Sequence, residues 1–196
     1  MASITRRTQI RTAAIQLFDE RGYYGAGMED IARALGMRAS SLYNHYSSKQ
    51  EVLGEISLWI HQELLRQYDE SLAGLANPRD KVVAAMRNHA RFHAEHAAPV
   101  RVSNREVKAL QEPYASQVRQ LRRDYVQHWI DLINEGVATG DFTTPDAKIV
   151  AYFIIDMGTG VSQWYKPDGR QPLDVLCDFY ANAALRLLRT DMPDAR

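Results

Sequence analysis

Between Gly27 and Lys49 two short apolar-periodic segments flank a single glycine, and this stretch limits the fold more than any other. Met28, Ile31 and Leu35 recur at spacings of three and four, so they share one face of a helix. Leu42 and Tyr46, four apart, share a face of a second helix. Gly36 stands between them, where a left-handed residue ends the first helix and turns the chain. Helix, glycine turn, helix is the helix-turn-helix pattern. Its second segment carries Arg38, Ala39, Ser40, Ser41, Tyr43, Asn44, His45 and Tyr46. Small groups there permit close approach, and hydrogen-bonding groups reach base edges and phosphates. With Arg6 and Lys49 these are the predicted DNA-binding residues.

Charge supports a separate head. The 196 residues sum to zero formal charge, but unevenly. Residues 1–50 hold seven Lys and Arg (positions 6, 7, 11, 21, 33, 38, 49) against four acids (19, 20, 29, 30), a net +3. The remainder carries 17 against 20, a net −3. A basic N-terminal part on an acidic chain predicts a DNA-binding domain over 1–48 and a body for ligand binding and dimerisation over 49–190. Cys177 is the only cysteine, which rules out an intrachain disulfide and a cysteine-based zinc site. No apolar run approaches membrane-span length, and the first residues lack the apolar core of a signal peptide. By elimination the expected location is cytoplasmic, with no membrane partner.

The rest of the chain reads as all-α, with about nine helices. Ile10, Ala13, Ala14, Leu17 and Phe18 form the stripe of a first helix ending near Arg21 and Gly22. Ser48-x-x-Glu51 is a capping box that opens a long helix with Val52, Leu53, Ile56, Ile60 and Leu64 inward. Asn77 and Pro78 read as N-cap and first residue of a helix to about 97, broken by Pro99. A short helix is expected over 102–110, and a longer one from Pro113 that Gly136 and Gly140 close. Thr144-Pro145-Asp146 opens the eighth helix, apolar almost all round from Ile149 to Trp164. Lys166-Pro-Asp-Gly169 is a turn, and a ninth helix over about 173–189 presents Leu176, Phe179, Tyr180, Ala183, Leu187 and Leu188. The last two helices are expected to pair with their copies in a four-helix dimer bundle, the alternative being an intrachain core. Met192 to Arg196 are expected to fray.

Patterns for chemistry are sparse. There is no glycine-rich phosphate loop after a strand and no nucleophile elbow, so an enzyme is not expected and no cofactor is implied. Gly158 and Gly160 lie in a helical stretch, where they permit close packing or leave space for a ligand. His89, His93 and His96 stand at i, i+4 and i+7, and the first two have the spacing of a chelating pair; the preferred reading is half-exposed histidines and no metal. Residues 101–123 hold Arg101, Arg105, Lys108, Arg119, Arg122 and Arg123 against Glu106 and Glu112, a net +4. Such a cluster is either a solvated face or an anion site beside an apolar pocket.

The run Ile31-Ala32-x-x-x-Gly36-x-x-x-x-x-Leu42-Tyr43-x-His45-Tyr46-x-x-Lys49, with Ala13-Ala14-x-x-Leu17-Phe18-x-x-x-Gly22-Tyr23 upstream, resembles the N-terminal domain of TetR (tetracycline-repressor-like) regulators. The chain departs from that pattern in two places. Gly27 and Met28 stand where the family usually has threonine or serine, and Arg38 where it often has serine, so an operator sequence does not carry over. In the body, Asn104-Arg105-Glu106-x-x-x-Leu110, Arg123-x-Tyr125-x-x-x-Trp129 and Trp164-Tyr165-x-Pro167-x-Gly169 resemble a subgroup that senses acyl-CoA thioesters and regulates fatty-acid, steroid or aromatic catabolism. The resemblance implies a homodimeric repressor on a palindromic double-stranded DNA operator, released by a small-molecule effector. It implies phosphate or pantetheine contacts from Arg101, Arg105 and Arg123, with Trp129, Tyr152, Met157 and Trp164 as candidate acyl walls. The alternatives are a metal-responsive regulator using the three histidines, or a helical small-molecule-binding protein without DNA binding.

Overall fold

Apolar periodicity sets the architecture of the computed structural model, which describes residues 5–144 and 146–189. Pro145 and the segment Met192–Arg196 lie outside the described residues. Among the described residues ten α-helical segments follow one another: α1 (Arg6–Gly25), α2 (Met28–Ala34), α3 (Ala39–Tyr43), α4 (Lys49–Leu72), α5 (Pro78–Glu95), α6 (Ala97–Arg105), α7 (Tyr114–Ala138), α8 (Ala147–Thr159), α9 (Val161–Trp164) and α10 (Leu173–Leu187). A 3-10 turn, Val107–Ala109, lies between α6 and α7. Gly160 alone separates α8 from α9 and is itself helical, so the two form one interrupted helix and the expected nine are recovered. The fold is all-α; among the described residues β geometry is limited to one bridge between Thr143 and Arg189.

The ends of the helices follow from local chemistry. Thr5 caps α1 by accepting the N–H of Thr8 at 3.2 Å. Gly22, with φ of +74°, kinks α1 before its last turn. The carbonyls freed there are taken up by Lys49, whose Nζ donates to Tyr23 and Ala26 at 2.8 and 2.9 Å. Asn77 caps α5 through the N–H of Arg79, and Asp146 caps α8 through those of Lys148 and Ile149, each nearest contact being 2.8 Å. The capping box before α4 is offset by one residue. Ser48 accepts the N–H of Glu51, but the Glu51 carboxylate reaches back to Ser47 at 2.7 Å. Pro99 does not break α5, which stops at Glu95. It sits in the first turn of α6, where its missing N–H has no intrahelical partner to lose.

Packing gathers the chain into two compact units, Met1–His61 with Ala98–Arg119, and Gln62–Ala97 with Gln120–Arg196. In the first, Ile10, Phe18, Ile31, Leu42, Leu53 and Ile56 are sealed from solvent together with Val102 and Val118. Each such side chain contributes roughly 1.5–3 kcal/mol on burial, so α6 and the start of α7 are part of the head's own core. Gly54 lets the Tyr114 ring lie against α4, since a Cβ there would stand 2.2 Å from the ring.

In the second unit α5 packs against α8, α9 and α10, with Ala94, Val161 and Leu176 forming one cluster. α8 is not buried on every side within the chain. Ala151, Ile154 and Gly158 face inward, whereas Ile149, Tyr152 and Phe153 are exposed.

Candidate nucleic-acid interface

The helix-turn-helix is built as its spacing requires. Gly36 has φ of +62°, and the turn closes with Met37 N–H donating to Ala32 at 3.0 Å. Met28, Ile31 and Leu42 are buried beneath it and fix the pitch of α3 against α2. Gly27 has no side chain to cap α2. Asp30 instead accepts the Gly27 N–H at 2.9 Å, which, with Arg33 beside it, holds the Asp30 carboxyl below the usual carboxylate range. The opposite face of α3 is open: Arg38, Ser40, Tyr43 and Asn44 are exposed, and Ala39, Ser41 and His45 are half-buried. Arg6 is exposed at the start of α1, donating to Gln9 at 2.7 Å.

Two predicted contacts are turned inward. Tyr46 is 1% exposed, and its hydroxyl donates to Glu55 at 2.9 Å under the Arg7 guanidinium, 4.3 Å from the ring centroid. Burial, reinforced by the Glu55 carboxylate, pushes that hydroxyl up to about 12. Tyr46 lies four residues after Leu42 and shares its buried face, so it packs and does not read bases. Lys49 is half-buried with its ammonium on the end of α1. The sequence also concealed that Arg7 is held by Glu55 and Glu51, at 2.6 and 3.2 Å. Part of the head's positive charge is therefore neutralised locally.

The predicted effector residues are divided between the two units. Arg101 and Arg105 lie in the first unit and clasp the end of α1. Arg101 Nε donates to Asp19 at 3.0 Å, its second arm meets the other carboxylate oxygen, and Asp19 raises the guanidinium pKa. Arg105 donates to the carbonyls of Phe18 and Asp19 and to Glu106, the last at 2.8 Å. Glu106, 8% exposed, also accepts the Tyr23 N–H at 3.2 Å, beside the Gly22 kink. In the second unit Arg123 is exposed, Trp129 is fully buried and Met157 is half-buried. Tyr152 and Trp164 are about half exposed, 47% and 52%, so they do not line an interior wall with Trp129.

The histidines also differ from expectation. His89 and His93 are buried, not half-exposed. His89 Nε2 donates to the Ile155 carbonyl at 3.1 Å, which leaves Nδ1 to accept from the Tyr125 hydroxyl at 2.7 Å. His93 Nδ1 donates back to the His89 carbonyl at 2.8 Å. With both nitrogens of His89 occupied, the pair does not offer two lone pairs to one ion. Among the described residues no group of three or more His, Cys, Asp or Glu is placed to hold a metal. Among them, too, no helix is long and apolar enough to cross a membrane.

Comparison with known families decides what this arrangement belongs to. Residues 10–56 match the model of bacterial regulatory proteins of the tetR family, and residues 75–188 match the tetracyclin repressor-like C-terminal domain. The chain belongs to the TetR family. It is a TetR-family transcriptional repressor, and the KstR2 relatives it matches over most of its length are transcriptional repressors, not enzymes. It is 31% identical over 169 residues to the HTH-type transcriptional repressor KstR2 of Mycolicibacterium smegmatis, covering 84% of this chain and 82% of that protein. Against KstR2 of Rhodococcus jostii it is 28% identical over 183 residues, 92% of this chain and 89% of the relative. The solved structure of the ketosteroid transcriptional regulator KstR2 of Mycobacterium tuberculosis superposes with a TM-score of 0.86 at 25% identity, covering 95% of this chain and 96% of that one.

Proposed function

We propose that this TetR-family repressor binds a palindromic operator as a homodimer and is released by an acyl-CoA thioester. The carrying observation is the open face of α3, where Arg38, Ser40, Tyr43 and Asn44 stand exposed on a turn held from below by Met28, Ile31 and Leu42. DNA reading belongs to residues 1–48, and dimerisation and effector binding to 49–190. The exposed Ile149, Tyr152 and Phe153 of α8 and Val175 and Phe179 of α10 support a second copy as the cover of that apolar face. A two-fold dimer reads half-sites about 34 Å apart or at a multiple of it, so the operator repeats the same symmetry. Work on chromosomal DNA places the protein in the cytoplasm.

The effector reading rests on the body motifs and on the likeness to repressors named for ketosteroids. Arg123 is the phosphate contact, since Arg101 and Arg105 serve the end of α1. Trp129 and Met157 serve the acyl part, and Tyr152 and Trp164 pass to the dimer face. An effector releases DNA only if it binds the non-docking dimer better than the docking one.

Gel shifts on an operator selected from random DNA test the head. Tyr43→Ala and Arg38→Ala should each cost roughly 1–3 kcal/mol of binding, and unchanged affinity in both removes α3 from recognition. Calorimetry with free CoA, a free fatty acid and the matching acyl-CoA tests the effector. Only the intact thioester should bind tightly and lift the protein from DNA; equal binding of the free acid overturns that reading.

A further inference from the structure

The face that presents Tyr43 also presents an acid. Glu29 and Asp30 at the start of α2, Tyr43 at the end of α3, and Ser47, Ser48 and Lys49 before and at the start of α4 line one open depression. Its charges are unequally committed. Asp30 is held by the Gly27 N–H at 2.9 Å and by Arg33 at 2.9 Å. The Lys49 ammonium, the one cation in the lining, points at two backbone carbonyls and the Tyr23 ring. Ser47 gives its hydroxyl to Glu51 at 2.9 Å. Glu29 is exposed, and among the described residues it has no hydrogen-bond or ion-pair partner. The depression beside the recognition helix therefore offers a docking duplex a bare carboxylate and no uncommitted cation.

A carboxylate there is repelled by every phosphate of every sequence. Base edges are different. Two bases carry an exocyclic amino group in the major groove, and a carboxylate pairs best with N4 of cytosine. We propose that Glu29 is a specificity-determining residue of the DNA interface, accepting a hydrogen bond from the amino group of a cytosine in the operator half-site and penalising DNA that lacks one there. The inference rests on the operator-binding reading above. It places part of the sequence reading on α2, outside the segment 38–46, and it fits the loss of the hydroxyl at Gly27, since a phosphate drawn to that point would meet Glu29.

The experiment is selection from a randomised duplex pool with wild type, Glu29→Gln and Glu29→Ala, followed by affinity measurement on the enriched site and on each single-position variant of it. Glu29 is exposed, so melting of both variants should match wild type. Wild type should prefer cytosine at one position of each half-site by about fivefold to about a hundredfold. Glu29→Ala should lose that preference alone, keep the others, and bind unrelated duplex DNA more tightly. A rise in affinity equal for all sequences, with every preference intact, overturns the inference and leaves Glu29 as a repulsive charge. Identical profiles for all three proteins overturn it as well. A wild type that enriches no sequence overturns operator binding itself, which the Glu29 variants do not decide.

Discussion

Tyr125 on α7 donates its hydroxyl to Nδ1 of His89 on α5 at 2.7 Å, deep in the second unit. The bond requires a neutral imidazole, because Nε2 already carries the proton given to the Ile155 carbonyl of α8. Burial, and secondly the adjacent His93, pushes the His89 pKa well below the ordinary value. The Tyr125 hydroxyl, which needs the bare Nδ1, is matched to the uncharged form of His89, and burial raises that hydroxyl so that it keeps its proton.

Stability should therefore fall on mild acidification. Below the ordinary imidazole pKa of about 6.5 the unfolded chain binds a proton at His89 that the folded chain refuses, so the contribution of His89 is complete above that pH and declines as pH drops. Melting temperatures measured between about pH 5 and 7.5 should slope downward toward acid, and His89→Gln should flatten the slope. Glu63, held by Arg66 at about 2, acts in a different window, losing its contribution only as pH falls below the ordinary range of a carboxylate. An unchanged slope in His89→Gln would show that other groups set the acid limit.

Gly158→Ala should destabilise the second unit by roughly 1–3 kcal/mol through overpacking. A Cβ at that position would stand 2.1 Å from His89 Cδ2 and 2.9 Å from Met86 Cε. Gly160→Ala is the matched control: its nearest neighbour is a backbone oxygen at 3.4 Å and its φ of −56° suits alanine, so denaturant midpoints should separate the two. Equal midpoints would contradict the close packing at Gly158.

Arg101 and Asp19 should be energetically coupled. Their side chains are 31% and 19% exposed and meet through two arms, a geometry that a lysine does not reproduce. Solvent screening keeps the coupling to about 1 kcal/mol in a double-mutant cycle of Arg101→Ala and Asp19→Ala. A coupling near zero would return Arg101 to the solvated face that charge counting also allowed.

Phe179→Asp should separate the dimer without unfolding the chain. Phe179 is 71% exposed, so a lone protomer tolerates the carboxylate, whereas burial against a second copy without a partner costs several kcal/mol. Sedimentation should show wild type as a dimer and the variant as a monomer of unchanged helicity. A wild type that sediments as a monomer at micromolar concentration overturns the dimer reading.

What the sequence determined by itself was local. The spacing of Met28, Ile31 and Leu35 before Gly36 and of Leu42 and Tyr46 after it, the caps at Asn77 and Asp146, and the stripes of α1, α4 and α10 each depend on residues within a turn or two of one another. Helix and turn geometry is set at that range, so spacing suffices. The inward turn of Tyr46 was also legible from its register with Leu42, although its hydrogen-bonding side chain suggested the groove. Tertiary structure decided the fate of the charges and the buried polar groups. Arg101 and Asp19 are 82 positions apart, and His89 and Tyr125 are 36 apart. No period in the sequence records such pairs. A guanidinium suits a phosphate and a carboxylate equally, and an imidazole suits a metal or a tyrosine. Which partner it takes is fixed only when packing brings one of them within hydrogen-bond distance.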